Sequence, residues 1–339
     1  MSAAGDVGTY ARLTAASRAL ADDLKRDPAT LARGLDSAYR MRPHLRVIGD
    51  AMAGVLAGEY DRLLVITPPQ VGKSTLVAEW GPFWWFVNRA QDDLVIASYG
   101  ADLAIDRSKG VRRHIADYGA EFGLVTRPGS EAAHDWELTS GGHLRAVGVQ
   151  GGLSGFPANG IFVDDPHADR AQAESPRIRN AVHDWWSSTA SKRIQPDVGV
   201  VFAIMTRWHP DDFAGRRLKE EGRLEEGGRW KVVHLPAVAD PKFGKDPIGR
   251  APGEPLTHPK IPTRDKPRLA RWWADMKRTS IVRDWHSLAQ GDPQPTEGAL
   301  VSEDLLRLIR DTVTVVEPQK IGVGVDPSGG RAETGIVVC

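Results

Sequence analysis

Two segments carry residues whose types and spacing could do chemistry. Leu63-Leu64-Val65-Ile66-Thr67-Pro68-Pro69-Gln70-Val71-Gly72-Lys73-Ser74-Thr75 is an apolar run, a tight loop and the opening of a helix. Backbone N–H groups of such a loop can wrap a triphosphate, and the helix N-terminus favours its charge. Lys73 would reach the outer phosphates, and the Ser74 hydroxyl would take a place on Mg²⁺. Gly160-Ile161-Phe162-Val163-Asp164-Asp165-Pro166, with Asp164 lying 91 residues beyond Lys73, is an apolar strand ending in two carboxylates. Asp164 would hold the metal, and Asp165 would orient or deprotonate an attacking water. The bland alternatives are a surface turn after a strand for the loop and an Asp-Pro turn for the acidic pair. Thr67 stands where the usual loop pattern has Gly, so the loop alone does not decide between them. Both segments fall where an open α/β sheet puts its ligands, at the carboxyl ends of strands.

The elements that must position these groups alternate. Strands are expected at 63–67, 93–99, 143–148, 160–165, 198–206 and 230–238. Helices are expected at about 72–87, 101–117 and 173–193. Apolar strands alternating with helices argue a mainly parallel sheet covered on both faces. Residues 8–40 read as helices of mixed charge. Between Asp240 and Thr263 the chain has six prolines and three glycines and reads as an irregular connection, after which helices resume at about 266–289. Ile321–Asp326 and the stretch from Thr334 read as two strands of a fresh sheet, so the chain looks cut short.

Composition bounds the rest. The 339 residues carry 44 basic and 44 acidic side chains, so net charge does not argue for a nonspecific nucleic-acid binder, although a local basic channel stays compatible with it. The one cysteine, Cys339, rules out an internal disulfide and a cysteine-based metal site. No apolar run approaches a membrane span, and no basic-then-apolar leader opens the chain. The histidines show no paired spacing for a metal. The pairs Trp84-Trp85, Trp185-Trp186 and Trp272-Trp273 lie in helical contexts, which favours packing over stacking on bases.

The spacing of several blocks resembles the large terminase subunit of tailed bacteriophages. The blocks are Pro68-Pro69-Gln70-Val71-Gly72-Lys73-Ser74, Ala97-Ser98-Tyr99, Gly151-Gly152-Leu153-Ser154-Gly155 before Val163-Asp164-Asp165-Pro166, and Thr206-Arg207-Trp208-His209. Gly249–Leu256 and Ala289-Gln290-Gly291-Asp292-Pro293 extend the match downstream. The resemblance implies an α/β P-loop NTPase of the additional-strand type. It implies an N-terminal helical segment at 1–40, an ATPase domain at 41–240, a linker subdomain at 241–318 and, at 319–339, the start of an RNase H-like nuclease domain. It implies ATP and Mg²⁺ as cofactors, and duplex DNA, a portal protein, a small terminase subunit and further copies in a ring as partners. The setting it implies is the procapsid portal in the host cytoplasm, with no membrane.

Site residues follow from the same resemblance. Lys73, Asp165 and Arg112 would be catalytic, and Pro69, Gln70, Val71, Gly72, Lys73, Ser74, Thr75 and Thr206 would contact nucleotide. Ser74 and Asp164 would hold one metal. Asp326 would be the first carboxylate of the nuclease, with its partners beyond Cys339, so this length of chain is expected not to cut DNA. Gln70 replaces a family arginine, so positive charge for the transferred phosphate must come from elsewhere. Arg112 is the choice for an arginine acting on a neighbour's ATP, with Arg107 and Arg113 as competitors and a solvated basic helix face as the bland reading. Arg207, Trp208 and His209 read as packing groups. A helicase, or a nucleotide-binding module that has lost hydrolysis, remains the alternative.

Overall fold

The computed structural model describes residues 22–130 and 132–294, and the backbone of 323–326 and 335–338. The first unit is built on β1 (Arg62–Ile66), β2 (Asp93–Ser98), β3 (Asp135–Glu137), β4 (His143–Gly148), β5 (Gly160–Asp164), β6 (Val200–Met205) and β7 (Trp230–His234). They form one sheet in the order β3-β4-β2-β5-β6-β1-β7. Every pairing is parallel except β3 with β4. A second unit holds β8 (Val323–Asp326) and β9 (Gly335–Val338), an antiparallel pair. The Asp326 side chain and residues 1–21 and 295–322 lie outside the described residues, so the carboxylate expected for a nuclease and the outer parts of the terminal segments are not placed.

The apolar runs dictate this sheet. All residues of β1, β5 and β6 are buried, as both-sided burial of parallel strands requires. Successive residues feed opposite faces. Leu63, Val65, Leu94, Ile96, Phe162 and Phe202 join one core. Leu64, Ile66, Val95, Ala97, Ile161, Val163, Val201 and Ala203 join the other. Phe162 and Phe202 stack across β5 and β6, with ring centroids 4.7 Å apart.

Helices depart from the expected spans at three places, two of them at a proline. The expected helix at 72–87 is a π-helical turn, Thr75–Trp80, followed by an α-helix, Gly81–Asn88. Pro82 has no N–H to offer the carbonyl four residues back, and the ladder widens just before it. The expected helix at 173–193 breaks at Ser175-Pro176, where the Ser175 hydroxyl accepts from Ile178 N, and ends in a π turn, Trp185–Ala190, followed by a 3₁₀ turn, Ser191–Arg193. The expected helix at 266–289 stops at Thr279 and resumes as short turns from Val282. Strand β3 was not expected: three residues on an antiparallel edge leave too short a pattern to read.

The tryptophan pairs pack as their contexts suggested. Trp84, Trp85, Trp185, Trp186 and Trp273 are buried and Trp272 is half-buried. Trp84 also donates from Nε1 to the Lys25 carbonyl at 2.7 Å, which ties the N-terminal segment to the core. Trp84→Ala is expected to cost about 3–5 kcal/mol in chemical unfolding and Trp84→Phe clearly less, since the phenyl keeps most of the volume. Equal losses would mean that the indole hydrogen bond, not the packing, dominates.

Candidate nucleotide site

Strand β1 delivers the chain to the sheet's carboxyl edge, and the loop that follows turns sharply. Gln70 (φ 63°) and Gly72 (φ 88°) are both in the left-handed region. Such residues turn consecutive N–H groups to one side, as an anion cradle needs, and for Gln70 the conformation carries strain. A side chain at Gly72 would also press on Pro259, whose Cγ would stand 3.2 Å from its Cβ. Asp165, directly after β5, is left-handed too, at φ 45°. Strained backbone therefore falls on both sequence segments singled out for chemistry.

The two segments meet. Lys73 Nζ donates to Thr206 Oγ1 at 2.8 Å and pairs with Asp165 Oδ2 at 3.1 Å. The other Asp165 oxygen accepts from the Thr206 backbone N–H at 2.7 Å. Ser74 Oγ donates to Asp164 Oδ1 at 2.8 Å. Lys73 is 5% exposed, so the loop is more buried than a surface turn. Burial first, and then the charge of Asp165, push the Asp164 carboxyl above its usual range. Ser74 Oγ and Asp164 Oδ1 converge as hard oxygen donors, and that set suits Mg²⁺, which takes few protein ligands beside phosphate and water. Among the described residues no cluster of three or more His, Cys, Asp or Glu forms a metal site by itself.

A third carboxylate and a second cation complete the arrangement. Arg107, on the helix Ala101–Tyr118, donates from Nε to Asp164 Oδ2 at 2.8 Å and from Nη1 to Glu79 Oε1 at 2.8 Å. Burial raises the Glu79 pKa, while Arg107 and then Arg113 oppose the rise. Arg113 reaches Glu79 only at 3.9 Å and is exposed. Arg112 is five residues from Arg107, about 140° around the helix, so the two do not share a face. Glu79 was missed by sequence reasoning. It is the one carboxylate in Leu76-Val77-Ala78-Glu79-Trp80, but nothing in that stretch names its partner; in the structure Gly110 faces it so closely that a Cβ would lie 2.6 Å from its Oε2.

Also missed was the packing of the 241–263 connection against the loop. Arg42 donates to the carbonyls of His258, Pro259 and Ile261 at 2.9, 2.8 and 3.1 Å. His44 is fully buried, with Nε2 2.9 Å from the Val71 carbonyl and Nδ1 2.9 Å from Thr257 Oγ1. The carbonyl can only accept, so Nε2 carries the proton and Nδ1 accepts from Thr257.

Beyond Thr206 the chain is braced. Arg207 pairs with Asp212 at 2.8 Å, and both are buried. Asp212 caps the helix Phe213–Glu221, accepting from Gly215 N, and His209 Nδ1 accepts from Asp211 N. These contacts fit the packing reading of Arg207 and His209. A cavity of about 770 Å³ opens at the opposite edge of the sheet, lined by Asp61, Arg62, Gly199 and Arg229 at the amino ends of strands, away from the residues described above.

Burial pushes the His44 pKa down from 6.5 to about 4. Between those values the unfolded chain binds a proton that the folded chain refuses. His44 therefore favours folding fully above about pH 6.5, and that contribution is lost as pH falls toward 4, roughly 3 kcal/mol over the window. In urea unfolding across this range, His44→Gln is expected to flatten the pH dependence. An unchanged slope would remove His44 as a titrating tie.

No curated protein matches the chain. Among solved structures, the HK97 bacteriophage large terminase is 14% identical over 88% of this chain and 60% of its own, with a TM-score of 0.49. The large terminase of the thermophilic bacteriophage D6E is 10% identical over 75% of this chain and 53% of its own, with a TM-score of 0.46. The ATPase domain of the Thermus phage P74-26 large terminase is 12% identical over 75% of this chain and 98% of its own, with a TM-score of 0.46. The chain thus spans little more than half the length of the first two. Residues 64–274 match the family model of the N-terminal part of the terminase large subunit, T4-like-virus type, and the chain belongs to that family.

Proposed function

We propose that the chain is an ATPase whose hydrolysis drives duplex DNA into a phage procapsid. The observation that carries this reading is the placement of Lys73 between Thr206 and Asp165, with Ser74 on Asp164. Backbone N–H groups from Gln70 to Thr75 cradle the phosphates, with Pro69 shaping the turn, and Lys73 binds their outer oxygens. Ser74 and Asp164 would hold Mg²⁺, which when bound would offset phosphate charge. Phosphate oxygens compete for Lys73, and its departure frees Asp165 to orient water and accept its proton. Thr206 loses the same lysine and passes the change into the braced segment behind it. Asp165 is one methylene shorter than glutamate, so its reach to water depends on the left-handed turn that presents it.

Arg107 is occupied by Asp164 and Glu79, where it steadies the metal-binding carboxylate. Gln70 carries no charge. We assign the cation for the transferred phosphate to Arg112 of a neighbouring copy, within a ring seated on a portal protein. Duplex DNA and a small terminase subunit are the further partners, and the setting is the procapsid portal in the host cytoplasm. Among the described residues no helix is long and apolar enough to cross a membrane. DNA cutting belongs to the full-length protein, with Asp326 as the first metal-binding carboxylate.

Lys73→Ala is expected to abolish hydrolysis while the fold persists, because the Asp165 side chain it leaves is 26% exposed and can be hydrated. Asp165→Asn is expected to bind Mg-ATP and hydrolyse it at least about a hundredfold more slowly, since an amide accepts no proton. Steady-state ATPase and nucleotide-binding assays, with and without duplex DNA, check both. Normal turnover by folded Lys73→Ala protein would sink the site. Lys73→Ala chains mixed with Arg112→Ala chains are expected to recover activity. Co-assembled mixtures that stay inactive would take Arg112 out of the role.

A further inference from the structure

A hollow of about 620 Å³ lies beside the helices Pro28–Leu35 and Pro43–Leu56. Arg33, Arg40, Arg42 and Arg46 line it together with Tyr39 and Ile248, and no acidic residue does. Among the described residues, none of the four arginines has a carboxylate within ion-pair distance. Arg107, Arg207, Arg229 and Arg250 each have one. Asp50, one turn beyond Arg46, feels its charge without lining the hollow.

The four do different things. Arg42 spends its donors on the carbonyls of Met41, His258, Pro259 and Ile261, so it builds the wall. Burial, then the neighbouring charge of Arg40, lower its pKa. Arg33, Arg40 and Arg46 are exposed. Arg33 ends a helix, where a cation is favoured anyway, and Arg40 donates one hydrogen bond to the Ser37 carbonyl. Most of their donors stay open. Like charges gathered without a counterion repel, and a bound anion offsets that cost. Guanidinium forks suit phosphate oxygens, which they can hold in pairs of parallel hydrogen bonds. The rim is exposed, so a phosphate carried on a polymer can reach it. Tyr39, in the lining, meets Trp80 edge-on with ring centroids 6.3 Å apart, and Trp80 ends the π turn that follows Ser74.

We propose that this arginine-lined hollow is a phosphate-binding site separate from the Lys73 loop, and that it takes the phosphodiester backbone of duplex DNA. It goes beyond the ATPase reading and does not require it.

The test uses Arg40→Ala/Arg46→Ala, two exposed side chains outside the hydrolytic site, with Arg40→Lys/Arg46→Lys as the charge-preserving control and melting temperature as the fold check. A labelled duplex is titrated over a salt series, and a fluorescent ATP analogue is titrated in parallel. The expected result is about a tenfold loss of duplex affinity at low salt, with the slope of log K against log salt falling by about 1.8, the equivalent of two phosphate contacts. The lysine variant keeps most of the affinity, and nucleotide binding and basal hydrolysis are unchanged. Loss of nucleotide affinity with duplex binding intact would assign the same phosphate site to a free nucleotide. No change in either titration, or no duplex binding by the wild-type chain at low salt, overturns the proposal. If the chain proves not to hydrolyse ATP, duplex binding through Arg40 and Arg46 is still measurable, so the two readings fail separately.

Discussion

The sharing of one buried lysine between Thr206 and Asp165 is the contact on which the rest of the site depends. Lys73 is an ammonium with little solvent, so its charge must be met by the protein. Asp165 and Thr206 meet it, and doing so joins the ends of β1, β5 and β6 at one point. Arg107 does the same for Asp164 and Glu79. Two cations thus face three carboxylates. A triphosphate would add more negative charge than one Mg²⁺ removes, so the site on its own is short of positive charge. That deficit gives a physical reason to look to another copy of the chain for an arginine, independent of the missing charge at Gln70.

The sheet makes the convergence possible. In the parallel order β5-β6-β1, three chain segments that are far apart in sequence end side by side, all pointing the same way. Each strand is buried on both faces, so its register is held by two cores at once, and a slip of one residue would exchange the two sets of side chains. The converging polar side chains are therefore placed by rigid strand ends, while the loops after them supply the left-handed turns at Gln70, Gly72 and Asp165.

How much of this was legible in the sequence follows from the range of each interaction. The strands at β1, β5 and β6 were readable because continuous apolar runs bounded by turn residues have few other uses. That Lys73, Ser74, Asp164, Asp165 and Thr206 lie together was readable because each sits at or just after a strand end. Helix interruptions before Pro82 and at Pro176 were open to inspection and were smoothed over by expecting one helix from a periodic stretch. Arg107 with Glu79 was hidden: the pair is separated by 28 residues, and an arginine on a helix beside Arg112 and Arg113 reads as part of a solvated face. The ties from Arg42 and His44 to 257–261 span more than 210 residues, and no periodicity encodes them.

Those long-range ties change how the site can act on its surroundings. On one side, Thr206 leads into the Arg207–Asp212 pair, which caps the helix Phe213–Glu221. A shift of Thr206 toward or away from Lys73 therefore moves a buried ion pair rather than a free loop. On the other side, the Val71 carbonyl is held by His44, which also holds Thr257, and Pro259 rests against Gly72. Any change in the loop's turn must be accommodated by the connection leading to the helix Lys266–Thr279. Packed interiors transmit such shifts because they have few alternative arrangements. The second route is open to proton binding, since the neutral His44 that bridges loop and connection cannot accept from Thr257 once its Nδ1 is protonated.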